Sequence, residues 1–380
     1  MKPVEGVSAS AETLIKQIFK GDDPCWLEGG DASATSLLEG LNFHGLTPVF
    51  WYWIRQHKFC QNWPSSLLTS IQHVAMQESA SDMLVQSELK NVLKFLDDND
   101  IHPVLIKGTP LSYTLYPEPG LRPRCDTDFL IAKEDVDKTA ELMRQLDYES
   151  LYDAKVELFS SQMTFVRRNK LGADHAYDIH WRINNLNRLF SDDLNYSRLV
   201  SADIKIPQLT THAITLGNVD SLLLACLHRA GHFSHSGDRL IWLYDIHLLM
   251  HALHEHEFEL FYQKAKKMEI VTICSDAILT AQGWFNTSLT ESRLQRLSKL
   301  PEAEASTAYL LIGRQAGIKN QALLELNGLS SMRDKIRYLA QKLFPPVNYM
   351  LWRYNTNRKY LLPFLYLYRL IYGIYIFVRR

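Results

Sequence analysis

Two aspartates separated by one residue, Asp126 and Asp128, open a predicted strand. This pair constrains the fold more than any other feature of the chain. Side chains alternate across a strand, so both carboxylates project from the same face. Two carboxylates side by side repel each other unless a cation lies between them. Such oxygen ligands favour Mg²⁺ or Mn²⁺, which keep open positions for phosphate oxygens. The pair therefore predicts a metal site on one face of a sheet.

The residues before this pair predict a site for phosphate. An apolar strand ends at Lys107-Gly108-Thr109, and a short helix from Leu111 to Tyr116 and a proline-broken loop follow it. A cation, a glycine, a hydroxyl and a helix N-terminus are groups that bind a triphosphate. Arg122 and Arg124 end the loop and would supply two further positive charges.

A third carboxylate, Asp178, lies in the strand predicted from Ala176 to Ile183. A lone charge there is costly to bury without a partner, and a two-metal site needs ligands for both ions. His180 shares the face of Asp178 and is a candidate contact for phosphate or acceptor. Other interpretations stay open, because an Asp-x-Asp pair also suits a turn and Asp178 also suits an exposed edge strand. Arg122 could equally pair with Glu118.

The order of elements predicts an α+β fold with a small mixed sheet between helical regions. Helical periodicity covers Ser66 to Asp98, strands and helices alternate after it, and helices return from Asp220 onward. Two of these late helices are predicted over Phe258 to Trp284 and Pro301 to Gly317. The predicted division is an N-terminal helical region (1–98), a sheet domain (99–215), a helical domain (216–345) and an aromatic, basic tail (346–380).

Composition limits the partners and the compartment. Lys+Arg number 41 against 42 Asp+Glu, a net charge of -1, so no stable DNA binding is expected. Five widely spaced cysteines without Cys-x-x-Cys predict neither a disulfide framework nor a zinc knuckle, which favours the reducing cytoplasm.

In the tail 361–380, Pro363, Arg369 and the tyrosines argue against a membrane span. Packing on the domain and weak contact with the surface of the inner membrane are the two alternatives.

Several stretches of the chain together resemble one known family. They are Leu105-Ile106-Lys107-Gly108, Tyr116-Pro117, Gly120-Leu121-Arg122-Pro123, Asp126 to Ile131, Asp178-Ile179-His180-Trp181, His44 to Pro48, Leu224 to His232 and Leu240 to Asp245. In these stretches the chain resembles the bacterial "uncharacterised nucleotidyltransferase" family. That family belongs to the DNA polymerase β-like nucleotidyltransferase superfamily.

The resemblance implies a polymerase β-like palm in which Gly108-Thr109 stand where the superfamily has Gly-Ser or Gly-Gly. It implies that Asp126 and Asp128 hold both metal ions and that Asp178 completes the first metal site. One departure concerns spacing, because sixteen residues separate Thr109 from Asp126, more than the superfamily usually has. The insertion Pro117 to Pro123 would absorb the excess.

The activity expected from this resemblance is transfer of a nucleoside monophosphate from a nucleoside triphosphate to an acceptor hydroxyl, with Mg²⁺ or Mn²⁺ and release of pyrophosphate. Lys107, Gly108, Thr109, Arg122, Arg124, His180 and Arg239 are the candidate contacts for the nucleotide. The acceptor is left open between a small molecule, a protein and RNA. A catalytically silent nucleotide-binding scaffold and a toxin-like nucleotidyltransferase acting on tRNA or protein are the alternatives.

The helical domain contains a second group of candidate residues. His228 and His232 lie four residues apart on one helix face, a spacing that can bind zinc. The helix lacks the glutamate of a His-Glu-x-x-His motif, and packed or hydrogen-bonded histidines are more usual. His228, Arg239 and Asp245 are candidates to line the nucleotide or acceptor side, and a role at an interface between domains is the alternative.

Overall fold

The computed structural model of the chain leaves several internal stretches undescribed. The residues it describes are 8–26, 34–150, 162–167, 175–183, 196, 203–232, 238–301, 304, 326 and 331–379.

Four helices precede the sheet: α1 (Ala9–Lys20), α2 (Ala34–His44), α3 (Thr47–His57) and α4 (Ser65–Asp97). Helix α4 follows Pro64 and matches the helix predicted over Ser66 to Asp98 to within one residue at each end. Its last turns bury Leu89, Val92, Leu93 and Leu96, and this apolar stripe packs the helix against the sheet.

Seven strands of the described residues form one mixed sheet, in the order β3-β4-β5-β2-β1-β7-β6. The strands are β1 (Val104–Ile106), β2 (Asp126–Leu130), β3 (Glu149–Ser150), β4 (Gln162–Arg167), β5 (His175–His180), β6 (Asp203–Lys205) and β7 (Ile214–Leu216). Strand β2 pairs with β5 in parallel, β1 pairs with β7 in parallel, and the other neighbours are antiparallel. Helices α5 (Gly108–Thr114) and α6 (Val136–Gln145) lie between strands, with 3-10 turns at Pro119–Leu121 and Lys133–Asp135.

The alternation of side chains gives the sheet two different faces. On one face, Leu105, Phe129 and Tyr177 join a core with α4 and α6. On the other face, Val104, Ile106 and Leu130 join a core with the N-terminal and later helices. Because Asp126 and Asp128 alternate with Thr127 and Phe129, they lie on the second face, toward the later helices.

Helices return after the sheet. They are α7 (Asn218–His232), α8 (Leu240–Ala252), α9 (Glu255–Lys267), α10 (Val271–Phe285), α11 (Glu291–Ser298), α12 (Met332–Leu343), α13 (Val347–Arg353) and α14 (Leu362–Arg379). The prediction of a single helix over Phe258 to Trp284 is wrong. The chain leaves the helix after Lys267 and passes through Glu269 at a φ of 55°, a left-handed conformation that no continuous helix contains.

The predicted α+β fold class, a mixed sheet between helical regions, is confirmed. Strands β6 and β7 were not predicted, and each is only three residues long. Most of the helix predicted over Pro301 to Gly317 lies outside the described residues. The domain limits stay predictions.

Among the helices that the structure describes, none has both the length and the apolar character needed to cross a membrane.

Candidate active site

The site is built on two parallel strands whose register sets the carboxylates side by side. In the pairing of β2 with β5, Asp128 lies opposite Asp178, and Leu130 lies opposite His180. Asp126 lies two residues before Asp128 on the same strand face. Donor atoms of Asp128, Asp178 and His180 all lie within 4.8 Å of one another, a distance set that suits a metal ion.

Lys107 connects the end of β1 to this group. Its ammonium forms an ion pair with Asp128 and lies 3.3 Å from Nε2 of His180. The backbone of Lys107 has a φ of 60° and a ψ of -131°, just before helix α5. A residue with a side chain costs about 1–3 kcal/mol in such a conformation and keeps it only where the surroundings hold it. Backbone strain thus falls on the residue that places a cation among the carboxylates.

Burial and like charge make the carboxylates unequal. Burial and the neighbouring Asp128 raise the pKa of Asp126 to about 6. Burial alone would raise the pKa of Asp128, but Lys107 and a hydrogen bond from His180 outweigh it and hold the pKa well below its usual range. The protein thus keeps Asp128 ionised, while Asp126 takes up a proton at a higher pH than an ordinary aspartate does.

His180 orients Asp128. Burial and repulsion from Lys107 lower the pKa of His180, which favours the neutral ring. Its Nε2 lies 2.7 Å from Oδ1 of Asp128, and since an ionised carboxylate only accepts, Nε2 is assigned as the donor. In this state the histidine fixes the direction of the carboxylate.

Asp178 is held from the other side by strand β4, where Thr164 lies opposite it in the register. The Thr164 hydroxyl donates to Oδ1 at 2.6 Å, and the Gln162 amide donates to Oδ2 at 3.1 Å. Asp178 is only partly buried, in the middle of the sheet, so it is not the exposed edge-strand residue of the alternative interpretation.

Arg122 packs on Gly108 and is anchored by the helical domain. Its Nε and second terminal nitrogen donate to Asp245 on α8 at 2.9 and 2.6 Å, and the Tyr116 hydroxyl donates to the same carboxylate at 2.8 Å. A Cβ atom at Gly108 would lie 2.2 Å from a terminal nitrogen of Arg122. Position 108 therefore accepts only glycine while Arg122 keeps its place. Arg122 pairs with Asp245, and not with Glu118.

We expect Gly108→Ala to lower the free energy of unfolding by about 1–3 kcal/mol, the usual cost of forcing an extra carbon into a packed site. The new methyl group must displace a guanidinium that Asp245 holds by three hydrogen bonds. Gly231→Ala on α7 is the matched control, because no atom lies within 4 Å of its added carbon. Urea denaturation measures both variants, and equal stability of the two would contradict this packing.

Two predicted phosphate contacts point elsewhere in this structure. The Thr109 hydroxyl lies 3.2 Å from that of Thr127, which projects from the opposite face to Asp126 and Asp128. The side chain of Arg124 is only 3% exposed and forms an ion pair with Asp82 of α4 at 2.5 Å. Its charge is thus balanced within the protein. The roles of Thr109 and Arg124 in binding a triphosphate stay predictions.

A cavity of about 460 Å³ opens beside the carboxylates. Its lining comes from the N-terminal helices, the sheet and helices α7 and α8, and includes Lys107, Arg122, Asp126, Asp128 and Arg239. Asp178 and His180 lie on the neighbouring strand β5 and do not line it. The strand pair thus presents Asp126 and Asp128 to a space large enough for a small ligand.

Arg239 differs from the other two arginines of this cavity. Its Nε donates to the carbonyl of Phe43 at 3.0 Å, and no acidic side chain in the described part of the chain lies within ion-pair distance of it. Burial, with repulsion from Arg122, lowers the pKa of Arg239. Its positive charge is therefore the one that an anionic ligand in the cavity would balance.

One wall of the cavity is aromatic. The rings of His228 and His232 lie 4.4 Å apart, and Trp242 packs on both, with centroid distances of 5.2 and 5.0 Å. Burial and repulsion from Lys107 hold the pKa of His228 well below its usual range. The sequence alone did not indicate Trp242, because only the packing of α7 against α8 brings it to the histidines. Within the described residues, these histidines belong to no group of three metal donors.

Comparison with known proteins identifies the family. A family model described as "uncharacterised nucleotidyltransferase" matches residues 31–286, about two thirds of the chain. The matched range contains the three carboxylates and every residue that lines the cavity. A comparison with curated proteins found no match.

Proposed function

The chain belongs to the uncharacterised nucleotidyltransferase family, and from this premise we propose that it transfers a nucleoside monophosphate from a nucleoside triphosphate to an acceptor hydroxyl. The observation that carries the proposal is the register of β2 and β5, which places Asp128 beside Asp178 at the edge of a cavity. Three carboxylates on one sheet face, next to arginine and lysine, match the chemistry of phosphoryl transfer.

The donor set fits a hard divalent cation. Asp128, Asp178 and His180 offer donors within 4.8 Å, and Asp126 projects from the same face. Burial and the neighbouring Asp128 raise the pKa of Asp126, and a cation beside the pair would offset this repulsion. Mg²⁺ or Mn²⁺ prefers carboxylate oxygens and retains positions for phosphate. Asp126, Asp128 and Asp178 are the residues that would hold the ions.

When bound, the ions would bring the α-phosphate and the acceptor hydroxyl together and offset the negative charge that develops during transfer. The chain's own residues do the rest. Lys107 lies between β1 and the carboxylates, where its ammonium can pass from Asp128 to a phosphate oxygen. Arg239 supplies the unbalanced charge of the cavity for the outer phosphates. Arg122 holds the backbone at Gly108 in place and adds positive charge.

The aromatic wall gives the nucleobase a surface. Trp242 and His232 line the cavity, and aromatic rings stack on any base. A neutral His228 presents no charge to the base and leaves the positive charge of the cavity to the arginines and Lys107. The proposal places the triphosphate at Lys107 and Arg239 and the base at this wall.

A catalytically silent nucleotide-binding scaffold is the second candidate. It is favoured by the ion pair between Lys107 and Asp128, because an amine already holds the carboxylate that a metal ion would need. The two candidates differ in one product. An enzyme releases pyrophosphate when it meets its acceptor, whereas a scaffold binds triphosphate and leaves it intact.

The test is incubation of the full chain with each labelled nucleoside triphosphate, Mg²⁺ and cell extract, followed by mass spectrometry for an added nucleotide. EDTA should prevent the reaction. Fractions of small molecules, proteins and RNA are assayed separately, so the product identifies the acceptor class. Triphosphate binding that depends on Mg²⁺, without pyrophosphate release in any fraction, would favour the scaffold. The proposed place of this reaction is the cytoplasm.

We expect Arg239→Met to raise the KM for the triphosphate by roughly tenfold or more, since a hydrogen bond to a charged group contributes about 1.5–3 kcal/mol. The kcat should change less, because Arg239 is placed at the outer phosphates and not at the carboxylates. Arg55→Met is the control, an exposed arginine on α3 that lies outside the cavity. Unchanged KM in Arg239→Met would remove Arg239 from the binding site.

A further inference from the structure

The last fifty residues concentrate positive charge in a chain that is nearly neutral. Residues 331–380 contain ten lysines and arginines and a single acidic residue, Asp334. The whole chain carries 41 basic and 42 acidic residues, so the first 330 hold 31 basic against 41 acidic. Such asymmetry within one chain indicates a segment that meets a polyanion. The segment also lies beyond the part of the chain that matches the family.

Helix α14 of this segment presents an apolar face outward. Its exposed large side chains follow the spacing of one helix face, and each is between 49% and 70% exposed: Phe364, Leu367, Tyr368, Ile371, Tyr372 and Tyr375. None of the six carries a charge. A contiguous, exposed apolar stripe of this kind is more often an interaction site than a chance feature of the surface.

The opposite face of α14 holds the helix onto its neighbours. The Tyr366 hydroxyl donates to the carbonyl of Pro345 at 2.5 Å, and Arg369 donates to the carbonyl of Lys342 at 3.3 Å. The Arg369 guanidinium also lies 5.6 Å from the centre of the Tyr349 ring. Arg369, the residue that argues against a membrane span, thus faces inward. The outward stripe contains no charged side chain.

Positive charges flank the two ends of the stripe. Arg358 and Lys359 are exposed just before α14, Arg379 is the last residue of α14, and Arg380 follows it in the sequence. The 18 residues of the helix span about 27 Å at 1.5 Å per residue. On α12 the exposed residues Met332 and Ile336 alternate with Arg333 and Arg337. An apolar face bounded by lysine and arginine is the pattern of a helix that lies in a membrane interface.

We infer that residues 331–380 dock the protein on an anionic lipid surface, with the outward face of α14 at the depth of the headgroups. The apolar stripe enters the boundary of the acyl chains, tyrosines remain at the polar level, and Arg358 and Lys359 meet the lipid phosphates. A nucleic acid would instead require cations on the exposed face itself, and the structure places apolar side chains there. The inference is independent of the proposed transfer reaction, because it uses none of the residues of the cavity.

The experiment is flotation of the full chain with vesicles of phosphatidylcholine alone and with vesicles that also contain phosphatidylglycerol. The wild type should float only with the anionic vesicles. Reversing two charges in Arg358→Glu/Lys359→Glu should weaken binding about tenfold or more, since each cation near an anionic surface contributes about 1 kcal/mol. Leu367→Ser/Ile371→Ser should weaken it by at least about tenfold through loss of buried apolar area.

Matched variants elsewhere on the surface control for general effects. Lys266→Glu/Lys267→Glu on α9 repeats the charge reversal, and Met83→Ser/Leu260→Ser repeats the loss of exposed apolar side chains. Both should float like the wild type. Thermal melts establish that each variant is folded, as expected for exposed positions.

Three results would overturn the inference. The first is that the wild type does not float, or that its flotation depends neither on the anionic lipid nor on the substitutions in the tail. The second is that a short RNA duplex binds the tail and displaces the protein from the vesicles. The third is a dimer in sedimentation that Leu367→Ser/Ile371→Ser converts to monomer, which would assign the stripe to a second copy of the chain.

Discussion

Asp128→Asn is expected to lower the rate of nucleotide transfer by at least about a hundredfold, the loss that removing one preorganised electrostatic group typically causes. Asp128 is the carboxylate that Lys107, His180 and Asp178 all approach. An asparagine of the same shape keeps one oxygen but removes the charge that a divalent ion and Lys107 both require. The assay is pyrophosphate release with Mg²⁺ and the acceptor fraction that supports the reaction.

A second measurement separates loss of the metal site from loss of the fold. A ligand that binds only the native state stabilises it by about 2.7 kcal/mol at a hundredfold excess over its dissociation constant. Mg²⁺ or Mn²⁺ should therefore raise the free energy of unfolding of the wild type, and this increment should disappear in Asp128→Asn. In the absence of metal the variant should remain folded, because Asp126 and Asp178 still offset the charge of Lys107 and the repulsion between Asp128 and Asp126 is relieved.

Asp100→Asn is the matched control for this variant. Asp100 is exposed and has a φ of 57°, a conformation that asparagine adopts as readily as aspartate. Activity and metal response of Asp100→Asn should equal those of the wild type. Turnover near the wild-type level in Asp128→Asn would refute the catalytic assignment, and a metal increment that survives in it would move the ion to other ligands.

Local patterns predicted the strand that carries Asp126 and Asp128, because alternation along a strand is a property of consecutive residues. They also indicated that Asp178 lies on a strand. Only the pairing of β2 with β5 shows that Asp178 lies opposite Asp128. A three-residue strand such as β7 leaves no periodic signal in the sequence. Its position follows from pairing with β1, which is a property of the folded chain.

The partners of the arginines could not be read from the sequence. Arg122 has Glu118 four residues away, yet its carboxylate partner is Asp245, which is 123 residues distant. Arg124 likewise pairs with Asp82 on a helix that precedes the sheet. A guanidinium buried among helices requires a buried carboxylate, and tertiary packing alone decides which one is near.

Asp245→Asn is expected to lower the free energy of unfolding by about 3–5 kcal/mol, because it leaves the buried Arg122 without a counter-charge. Asp245 is 3% exposed and also accepts the hydroxyl of Tyr116. These bonds join the loop before β2 to helix α8, so the loss should appear in the midpoint of urea denaturation. The same loss should release Arg122 from Gly108 and lower the affinity for triphosphate.

Glu118→Gln is the control, an exposed carboxylate in the same loop, and its effect should stay within about 0.5 kcal/mol. The double variant Arg122→Met/Asp245→Asn adds a stricter test. If the penalty comes from an unpaired buried charge, removing Arg122 as well should cost much less than the sum of the two single changes, since residues in contact do not act additively. Additive losses, or a larger effect of Glu118→Gln, would show that Asp245 stabilises the loop by another route.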